Sequence, residues 1–380
     1  MIVSIYIFWI SILLIITGYL IYPVMLGIIN LFIKKKPSTN DEYPSVSIIV
    51  ACHNEEKNIK DRITNILACH YPKEKLEIII ASDGSTDQTV NEALKWQNWN
   101  IKALDLPRQG RASAHNEAVR QAENDILIFT DAETIYDHNC LKQLCQPYTD
   151  KHVGATSGVL VDYKLKDSTL GRSQGLYWKL EYFLRRTQSN LGVLSKTSGA
   201  NMSIRRKLFK SIPLDVDIDQ VAGPDSLSQG FKVVHAQEAI AYEEFATDLK
   251  RQLASRQRFT IQSFSAIKYH LFLLNILRHP ILSFHFIFYR LWRYLTPFFL
   301  IAIFISNGFL IFSISIYLYF FVAQVGIYAF AILGYFLEKN HRHWPLISTI
   351  FSIIYLELGI LLGVLKSLFG KKYTLYSKQQ

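Results

Sequence analysis

The stretch LEIIIASDGSTDQTV, residues 76–90, decides the fold of this chain. Its apolar run has the length of a buried strand and stops abruptly in Ser, Asp, Gly and Thr, before a helical stretch that begins at Gln88. The earlier stretch SVSIIVACHNEE, residues 45–56, has the same form, and residues 58–68 after it have helical spacing. Strand, helix, strand and helix in this order predict an α/β fold with a mostly parallel sheet.

Polar clusters follow three of the predicted strands. They are Asn54-Glu55 after the first strand, residues 83–87 after the second, and Asp131-Ala132-Glu133 after ILIFT. Parallel sheets bind ligands at the carboxyl ends of their strands, so we expect the site where these three ends converge.

The pair Asp131 and Glu133 is the strongest chemical signal in these clusters. Two residues apart in an extended segment, the side chains project to the same side. Paired carboxylates bind a hard divalent cation, and Mg²⁺ or Mn²⁺ there would hold the diphosphate of a nucleotide. A solvated acidic loop is the alternative.

Two stretches, residues 2–32 and 294–337, contain no charged side chain, and hydrophobic residues make up 50% of the chain. A helix crosses the hydrocarbon core with about 20 apolar residues. We therefore predict an N-terminal transmembrane anchor over residues 1–36, about three C-terminal transmembrane helices over 294–366, and a basic tail over 367–380. The lysines at 34–36 place the following domain in the cytoplasm, so the expected location is the plasma (inner) membrane, with several crossings.

Residues 261–293 mix aromatic with basic side chains, which is typical of amphipathic helices at the membrane interface. A lid packed on the soluble domain is the alternative. Glu357 in the last span should face other helices or a polar channel, such as a glycan exit path. Three spans after a cytoplasmic domain leave the carboxyl terminus outside, whereas its lysines favour the inside, and this conflict stays open.

The net charge of +10 is concentrated near the membrane segments, so we expect anionic lipid as a partner and no nucleic acid. Neither Gly-x-Gly-x-x-Gly nor Gly-x-x-x-x-Gly-Lys follows an early strand, so dinucleotide and ATP loops are not supported. The four cysteines, Cys52, Cys69, Cys140 and Cys145, are interpreted as packing residues. Trp178 and Glu181 in YWKLEYF are further candidate positions, although a Trp at helical spacing is more often a core residue than a platform for a sugar.

An ordered series of motifs runs from Ser45 to Phe259: SIIVACHNEE, IIASDGSTDQT, QGRASAHNEAV, FTDAET and SGANMSIRR. It resembles the family 2 glycosyltransferases, particularly the membrane-embedded branch with the hyaluronan, chitin, cellulose and poly-N-acetylglucosamine synthases. The resemblance implies a GT-A-like nucleotide-sugar-binding domain over residues 45–260, flanked by transmembrane α-helices. It also implies a metal-dependent, inverting transfer from a UDP-sugar to a growing polysaccharide or a lipid-linked acceptor.

The resemblance assigns roles to individual residues. Glu55 and Asp83 would contact the uracil and ribose, while Asp131 and Glu133 match the metal-binding Asp-x-Asp. Arg111 stands where the family has lysine, and it can offer positive charge to the diphosphate. Asp87 is instead predicted to cap the helix that begins near Thr89. Further positions carried over as substrate-binding are Asn116, Gly199, Asn201, Arg205, Arg256, Arg258 and Phe259.

Asp219 is our predicted general base. The family's base lies eleven residues before a glycine that precedes an aromatic residue, and Asp219 has this spacing from Gly230-Phe231. Asp225 is too close to that glycine and Asp217 slightly too far. Asp219 would take the proton from the acceptor hydroxyl. An exposed loop acid is the alternative interpretation.

The segment LASRQRFTIQ departs from the Gln-x-x-Arg-Trp of the processive family members. Ser255 replaces the glutamine and Phe259 the tryptophan, although Phe259 can still stack on a sugar. This departure keeps a second hypothesis open, a non-processive transferase that adds one sugar to a lipid. A third is a non-catalytic nucleotide-sugar-binding subunit of a glycan export complex. Export or regulatory subunits are open as partners.

Overall fold

The computed structural model describes residues 1–33, 43–162, 175–244, 248–340 and 342–374, with backbone alone for 175–178. The lysines at 34–36, the side chain of Trp178 and the last part of the basic tail therefore lie outside the described residues.

The described residues form one mixed sheet whose strands stand in the order β3-β2-β1-β4-β7-β6-β8-β5. Neighbours from β3 to β4 are parallel, as are β6 and β8, whereas β7 is antiparallel to both of its neighbours and β5 to β8. This confirms the α/β class with a mostly parallel sheet. The strands are β1 (Val46–Cys52), β2 (Leu76–Asp83), β3 (Ile101–Leu106), β4 (Ile126–Asp131), β5 (Ile135–Tyr136), β6 (Val153–Asp162), β7 (Met202–Arg205) and β8 (Lys232–Glu243).

The strand order reverses beside β1. The chain runs from β1 through β2 to β3 on one side and returns to β4 on the other side of β1. Ala51 of β1 consequently pairs with Ala81 of β2 and with Asp131 of β4. A crevice opens at the carboxyl ends of the strands where such a reversal occurs, and the three polar clusters meet at this carboxyl edge, as predicted.

Helices cover both faces of the sheet, because alternate strand residues point to opposite sides. Helices α3 and α6 bury Ile48 and Ile78 on one face, and α5 and α8 bury Ile49 and Phe129 on the other. The helices are α1 (Ile2–Ile16), α2 (Tyr22–Leu31), α3 (Ile59–Ala68), α4 (Thr89–Leu94), α5 (Arg111–Gln121), α6 (Cys140–Cys145), α7 (Gly175–Asn190), α8 (Ile218–Ser228), α9 (Leu249–Tyr269), α10 (Pro280–His285), α11 (Trp292–Leu310), α12 (Ser315–Lys339) and α13 (Pro345–Leu368). All four cysteines are free and buried in the α3 face, which confirms their interpretation as packing residues.

Four helical stretches among the described residues are long and apolar enough to cross a membrane: Ile2–Leu31, Pro280–Leu310, Ser315–Lys339 and Pro345–Leu368. The first two each contain a π turn, at Thr17–Ile21 and Phe286–Leu291. These two helices contact each other directly, since the Trp292 indole donates to the Leu14 carbonyl at 2.6 Å.

Part of the stretch predicted to lie at the membrane interface contacts the α/β domain, and its place at the interface stays a prediction. Residues 280–293 belong to one continuous helix with the first of the predicted C-terminal spans. Two basic residues of this helix bind the α/β domain. Arg290 donates to the carbonyl and the side chain of Gln220 at 2.9 Å each, and Arg293 donates to Glu181 at 2.8 Å.

Helix α9 packs closely against α13, the last of the four helices that are long and apolar enough to cross a membrane. Gly359 and Gly363 of α13 have no room for a side chain, because a Cβ would lie 2.7 Å from Arg256 and 2.6 Å from Thr260 of α9. Close helix approach of this kind needs small residues at the contact. Glu357 of α13 accepts a hydrogen bond from the Tyr19 hydroxyl at 3.3 Å, so it faces another helix, one of its two predicted environments.

Candidate active site

The loops after β1 and β2 are tied together at the carboxyl edge. Thr89 accepts from the Glu55 N–H at 2.7 Å, and Asp87 accepts from the Glu56 N–H at 3.2 Å. Asp87 also accepts from the Thr89 N–H at 3.0 Å, at the start of α4, where the sequence predicted it to cap a helix. Partial burial opposes ionisation of Asp87, but the hydrogen bonds from Thr89 and Glu56 outweigh it and lower its pKa.

Asp83 holds the loop that precedes α5. Its Oδ1 accepts from the backbone N–H groups of Gln109 and Gly110 at 2.8 Å each, and its Oδ2 pairs with Arg108. The loop passes so close that a Cβ at Gly84 would lie 2.8 Å from the Arg108 backbone nitrogen, and Gly84 has a φ of 63°. Asp83 thereby sets where Arg111 begins the helix, and its proposed contact with ribose stays a prediction.

Arg111 and Asp131 form an ion pair between their Nη2 and Oδ1 atoms. Burial raises the pKa of Asp131; the Arg111 charge opposes this, and the negative charges of Asp217 and Glu133 add to it. Glu133 itself is exposed, two residues along the chain. The structure thus brings together the predicted diphosphate partner and the predicted metal-binding pair.

Glu243 at the end of β8 is a further carboxylate here that the sequence analysis did not single out. Burial raises its pKa to about 8, with Asp131, Glu133 and Asp162 adding to the rise and Arg111 opposing it. Even so, no three His, Cys, Asp or Glu side chains within the described ranges are placed to hold a metal ion by themselves.

Asp219 lies in the first turn of α8 and faces the same space as Arg111. A Cβ at Gly199 would lie 3.6 Å from the Asp219 Cβ and 3.8 Å from the Arg111 Nη2, so Gly199 leaves room between them. Burial raises the pKa of Asp219, and Asp217 raises it further, against the charges of Lys196 and Arg111. A carboxylate with raised proton affinity beside a positively charged side chain suits a general base.

Lys196 and Asp217 also act on Asp219 through their charges, and neither was assigned to the site from the sequence. Burial lowers the pKa of Lys196 to about 8, although the Asp219 carboxylate opposes this. A signal for Lys196 was present, since it stands three residues before Gly199 in the recognised SGAN motif. Asp217 was set aside on spacing alone, yet its charge acts on both Asp131 and Asp219.

The Arg-rich segment of α9 reaches the same region. A cleft beside the ion pair is lined by Arg111, Asp217 and Arg258, and also by Tyr373 near the carboxyl terminus. The Arg258 guanidinium lies 5.0 Å from the ring centroid of Phe259, which is 41% exposed. The stem of Arg256 packs on Gly359, and its charge acts on Lys196.

Two predicted substrate-binding amides have structural roles instead. Asn116 donates to the Ile212 carbonyl at 2.9 Å and accepts from the Ile212 N–H at 2.8 Å, so both of its polar atoms are used. Asn201 is fully buried and donates to the carbonyls of Val159 and Ala239 at 3.1 and 2.8 Å, which joins β6 to β8. These contacts occupy the amide groups of both residues within the protein, and we correct both assignments from substrate binding to a structural role.

Arg205 also lies away from the site. It pairs with Ile126, the first residue of β4, whereas Asp131 is the last, so the two lie about 16 Å apart along the strand. Its guanidinium donates to the carbonyls of Val153 at 2.7 Å and Tyr148 at 3.0 Å. We therefore correct the assignment of Arg205 from substrate binding to a structural role, at the end of the strands opposite to the site.

Comparison with known proteins gives the family context of this site. Glycosyl transferase family 2 matches residues 47–212. A poly-beta-1,6-N-acetyl-D-glucosamine synthase from Staphylococcus epidermidis is 28% identical over 204 residues, which are 50% of this chain and 49% of the relative. The synthase of the same name from Staphylococcus aureus (strain COL) is 34% identical over 172 residues, 44% of this chain and 41% of the relative. The matches thus span about half the length of these curated relatives.

A solved structure resembles the whole described chain. It is a mannosyltransferase from Pyrobaculum calidifontis in complex with GDP-Man and Mn²⁺, which superimposes with a TM-score of 0.71 at 20% identity and covers 96% of this chain and 100% of its own. At this identity the likeness shows the fold alone, which is GT-A-like. The match to glycosyl transferase family 2 is confined to residues 47–212, and the α/β sheet of the described residues agrees with it.

Proposed function

We propose that this chain is an inverting membrane glycosyltransferase that moves a sugar from a UDP-sugar to a growing polysaccharide or a lipid-linked acceptor. The observation that carries the proposal is the convergence of Arg111, Asp131 and Asp219 on one space beside Gly199, at the carboxyl edge of the sheet. That space offers what the transfer needs, namely positive charge for a diphosphate and a base for a hydroxyl.

The donor class rests on the relatives. The relatives that match 44 to 50% of this chain are named as synthases of poly-beta-1,6-N-acetyl-D-glucosamine, which makes UDP-N-acetylglucosamine the first donor to test. The membrane helices support an acceptor that is itself at the membrane, either a lipid-linked sugar or a polymer in export. We place the glycosyltransferase domain on the cytoplasmic side, where nucleotide sugars are made.

A divalent cation fits the residues present. Asp131 and Glu133 supply hard carboxylate oxygens, and Mg²⁺ is commonly held by one or two carboxylates together with substrate phosphates. The lack of a third protein ligand among the described residues therefore agrees with a cation shared with the donor. When bound, Mg²⁺ or Mn²⁺ would neutralise charge on the departing diphosphate.

The protein residues then divide the reaction between them. Arg111 and Arg258 bind the diphosphate from the cleft that both of them line. Asp219 takes the proton from the acceptor hydroxyl as that oxygen bonds to the anomeric carbon and the carbon–oxygen bond to UDP breaks. The UDP leaves with the bonding electron pair, and attack opposite the leaving group inverts the anomeric centre.

A second candidate is the transfer of a single sugar to a lipid. It is favoured by one specific departure, Ser255 and Phe259 in place of the glutamine and tryptophan of processive family members. Phe259 is half-exposed and carries the Arg258 guanidinium over its ring, so a sugar would compete with that contact. Product length separates the candidates.

The experiment uses the full chain in lipid nanodiscs with UDP-N-acetylglucosamine and other UDP-sugars, with Mg²⁺, Mn²⁺ or EDTA. We expect UDP release from one donor that requires the cation, and a glycan or glycolipid product that can be sized. Long products support synthesis of a polysaccharide and a product one sugar longer supports the second candidate. Binding of a UDP-sugar without any release would instead support a non-catalytic subunit and contradict the proposal.

A further inference from the structure

A continuous set of hydrogen bonds connects a membrane helix with Asp219. Gln220, which is 1% exposed, donates from its Nε2 to the Asp219 Oδ2 at 2.8 Å. Its Oε1 accepts from Arg290 at 2.9 Å and from the Ser263 hydroxyl at 2.9 Å. Arg290 belongs to the helix Pro280–Leu310, and Ser263 to α9.

These neighbours fix the orientation of the Gln220 amide. A guanidinium can only donate, so the atom that faces Arg290 must be the oxygen. The NH₂ group is then directed at the Asp219 carboxylate, which can accept it. Arg290 also donates to the Gln220 carbonyl at 2.9 Å and to the Ser195 carbonyl at 3.4 Å, so backbone and side chain are held together.

A carboxylate that serves as a base needs one oxygen free and directed at the acceptor hydroxyl. The bond from Gln220 occupies Oδ2 and restricts rotation of the carboxylate, which leaves Oδ1 for the proton. Asp217, Lys196, Arg111 and Arg290 act on Asp219 through their charge, whereas Gln220, the next residue in the chain, makes a hydrogen bond to one defined oxygen, Oδ2. The substitution of Arg290 by lysine keeps its charge, so it tests the contact with Gln220.

We propose that Gln220 is a positioning residue that orients the Asp219 carboxylate, and that Arg290 of the membrane helix sets the orientation of Gln220. This inference rests on the proposed role of Asp219 as the base. The motifs did not single out Gln220. The contact with Arg290 also gives the helix Pro280–Leu310 a role in the geometry of the site, in addition to a role as an anchor.

The first test compares Gln220→Glu with Gln220→Met in nanodiscs. The Glu variant keeps the size and the two accepted bonds, and loses the donor to Asp219; the Met variant is uncharged and loses all three bonds. We expect kcat to fall about 10- to 100-fold in both, the range for one hydrogen bond to a charged group, with the KM for the donor unchanged. A kcat within about twofold of the wild type in both variants, at unchanged Tm, would overturn the inference.

A matched pair of arginine variants separates orientation from docking. Arg290 and Arg293 both tie the membrane helix to the α/β domain, but only Arg290 contacts Gln220, while Arg293 contacts Glu181. We expect Arg290→Lys to lower kcat and Arg293→Lys to leave kcat at the wild-type value after normalisation to folded protein. Equal losses of kcat in the two variants would assign the effect to docking and contradict the proposal.

A double variant ties the effect to Asp219. If Gln220 acts through Asp219, Gln220→Met/Asp219→Asn should keep the residual rate of Asp219→Asn within about twofold, because residues that act as a unit are not additive. A further tenfold loss would show an independent role and overturn the inference. Full activity of Asp219→Asn alone would reject the base and the inference with it, whereas an inactive Asp219→Asn beside fully active Gln220 variants would reject only the inference.

Discussion

The Arg111 guanidinium pairs with the Asp131 carboxylate at the point where β4 ends and α5 begins. Asp83 holds the loop before Arg111, and the sheet register holds Asp131 beside Ala51, so both partners are fixed by the backbone around them. We propose that Arg111 binds the diphosphate and Asp131 binds the cation. When the donor binds, the Arg111 guanidinium therefore turns from Asp131 to the diphosphate, and the cation replaces it as the positive charge beside Asp131.

Asp131→Asn is expected to reduce cation-dependent UDP release about 100-fold or more, because an amide keeps the size of the side chain but loses the charge that holds the cation. Release of UDP across a Mn²⁺ titration measures this. The matched control is Asp125→Asn just before the same strand, where the side chain is 95% exposed, and it should keep the wild-type rate. Equal Mn²⁺ dependence in Asp131→Asn and wild type would remove the metal assignment.

The pH dependence of kcat/KM should report Asp219. A base works when ionised, and burial raises the pKa of Asp219, so the rate should rise with pH through a value above the ordinary carboxyl pKa of about 3.9. Lys196→Met removes a positive charge that favours the carboxylate, so we expect this rise to move to higher pH. Lys210→Met is the control, since Lys210 pairs with Asp225 outside the site. A shift to lower pH in Lys196→Met would contradict the assignment.

Gly199 should tolerate one methyl group and no more. The added Cβ of Gly199→Ala would make ordinary contacts of 3.6 Å with Asp219 and 3.8 Å with Arg111, so folding should be unaffected. The longer side chain of Gly199→Leu would reach past this contact, between Asp219 and Arg111, and we expect its donor KM to rise or its turnover to be lost at unchanged Tm. If the Leu variant turned over UDP-sugar like the wild type, the substrate would have to lie elsewhere.

Arg205 should contribute to the stability of the protein and not to the binding of substrate. Arg205→Met leaves the buried carbonyls of Val153 and Tyr148 without their donor, and we expect the free energy of unfolding to fall by about 1–3 kcal/mol. Thermal unfolding in detergent and donor KM, measured on the same preparation, check this. A tenfold rise in donor KM at wild-type Tm would restore the substrate-binding role.

The sequence was informative where local pattern determines structure. Apolar runs followed by polar clusters located β1, β2 and β4 and their common edge, because a buried strand must end where polar side chains begin. Motif similarity placed Asn201 and Arg205 in the chain but could not give the direction of their side chains, which depends on the remote partners Ala239 and Val153.

The contacts of residues 280–293 with the α/β domain could not be predicted from composition for a related reason. Composition shows Arg290 and Arg293 among aromatic residues but does not show their partners. Those partners, Gln220 and Glu181, lie 70 and 112 residues away along the chain, and only the tertiary fold brings them together. Gln220 was not identified from the sequence for the same reason, because its partner Arg290 lies 70 residues away. Its neighbour Asp219 was identified by its spacing from Gly230.

The most direct test of the account is to measure UDP-sugar binding and UDP release side by side for the wild type and Asp219→Asn, with Mn²⁺ and with EDTA. The account predicts that the variant binds the donor with Mn²⁺ as the wild type does, while acceptor-dependent release of UDP falls to background. If Asp219→Asn releases UDP at the wild-type rate, Asp219 is not the base, and the chemistry assigned to this site is wrong.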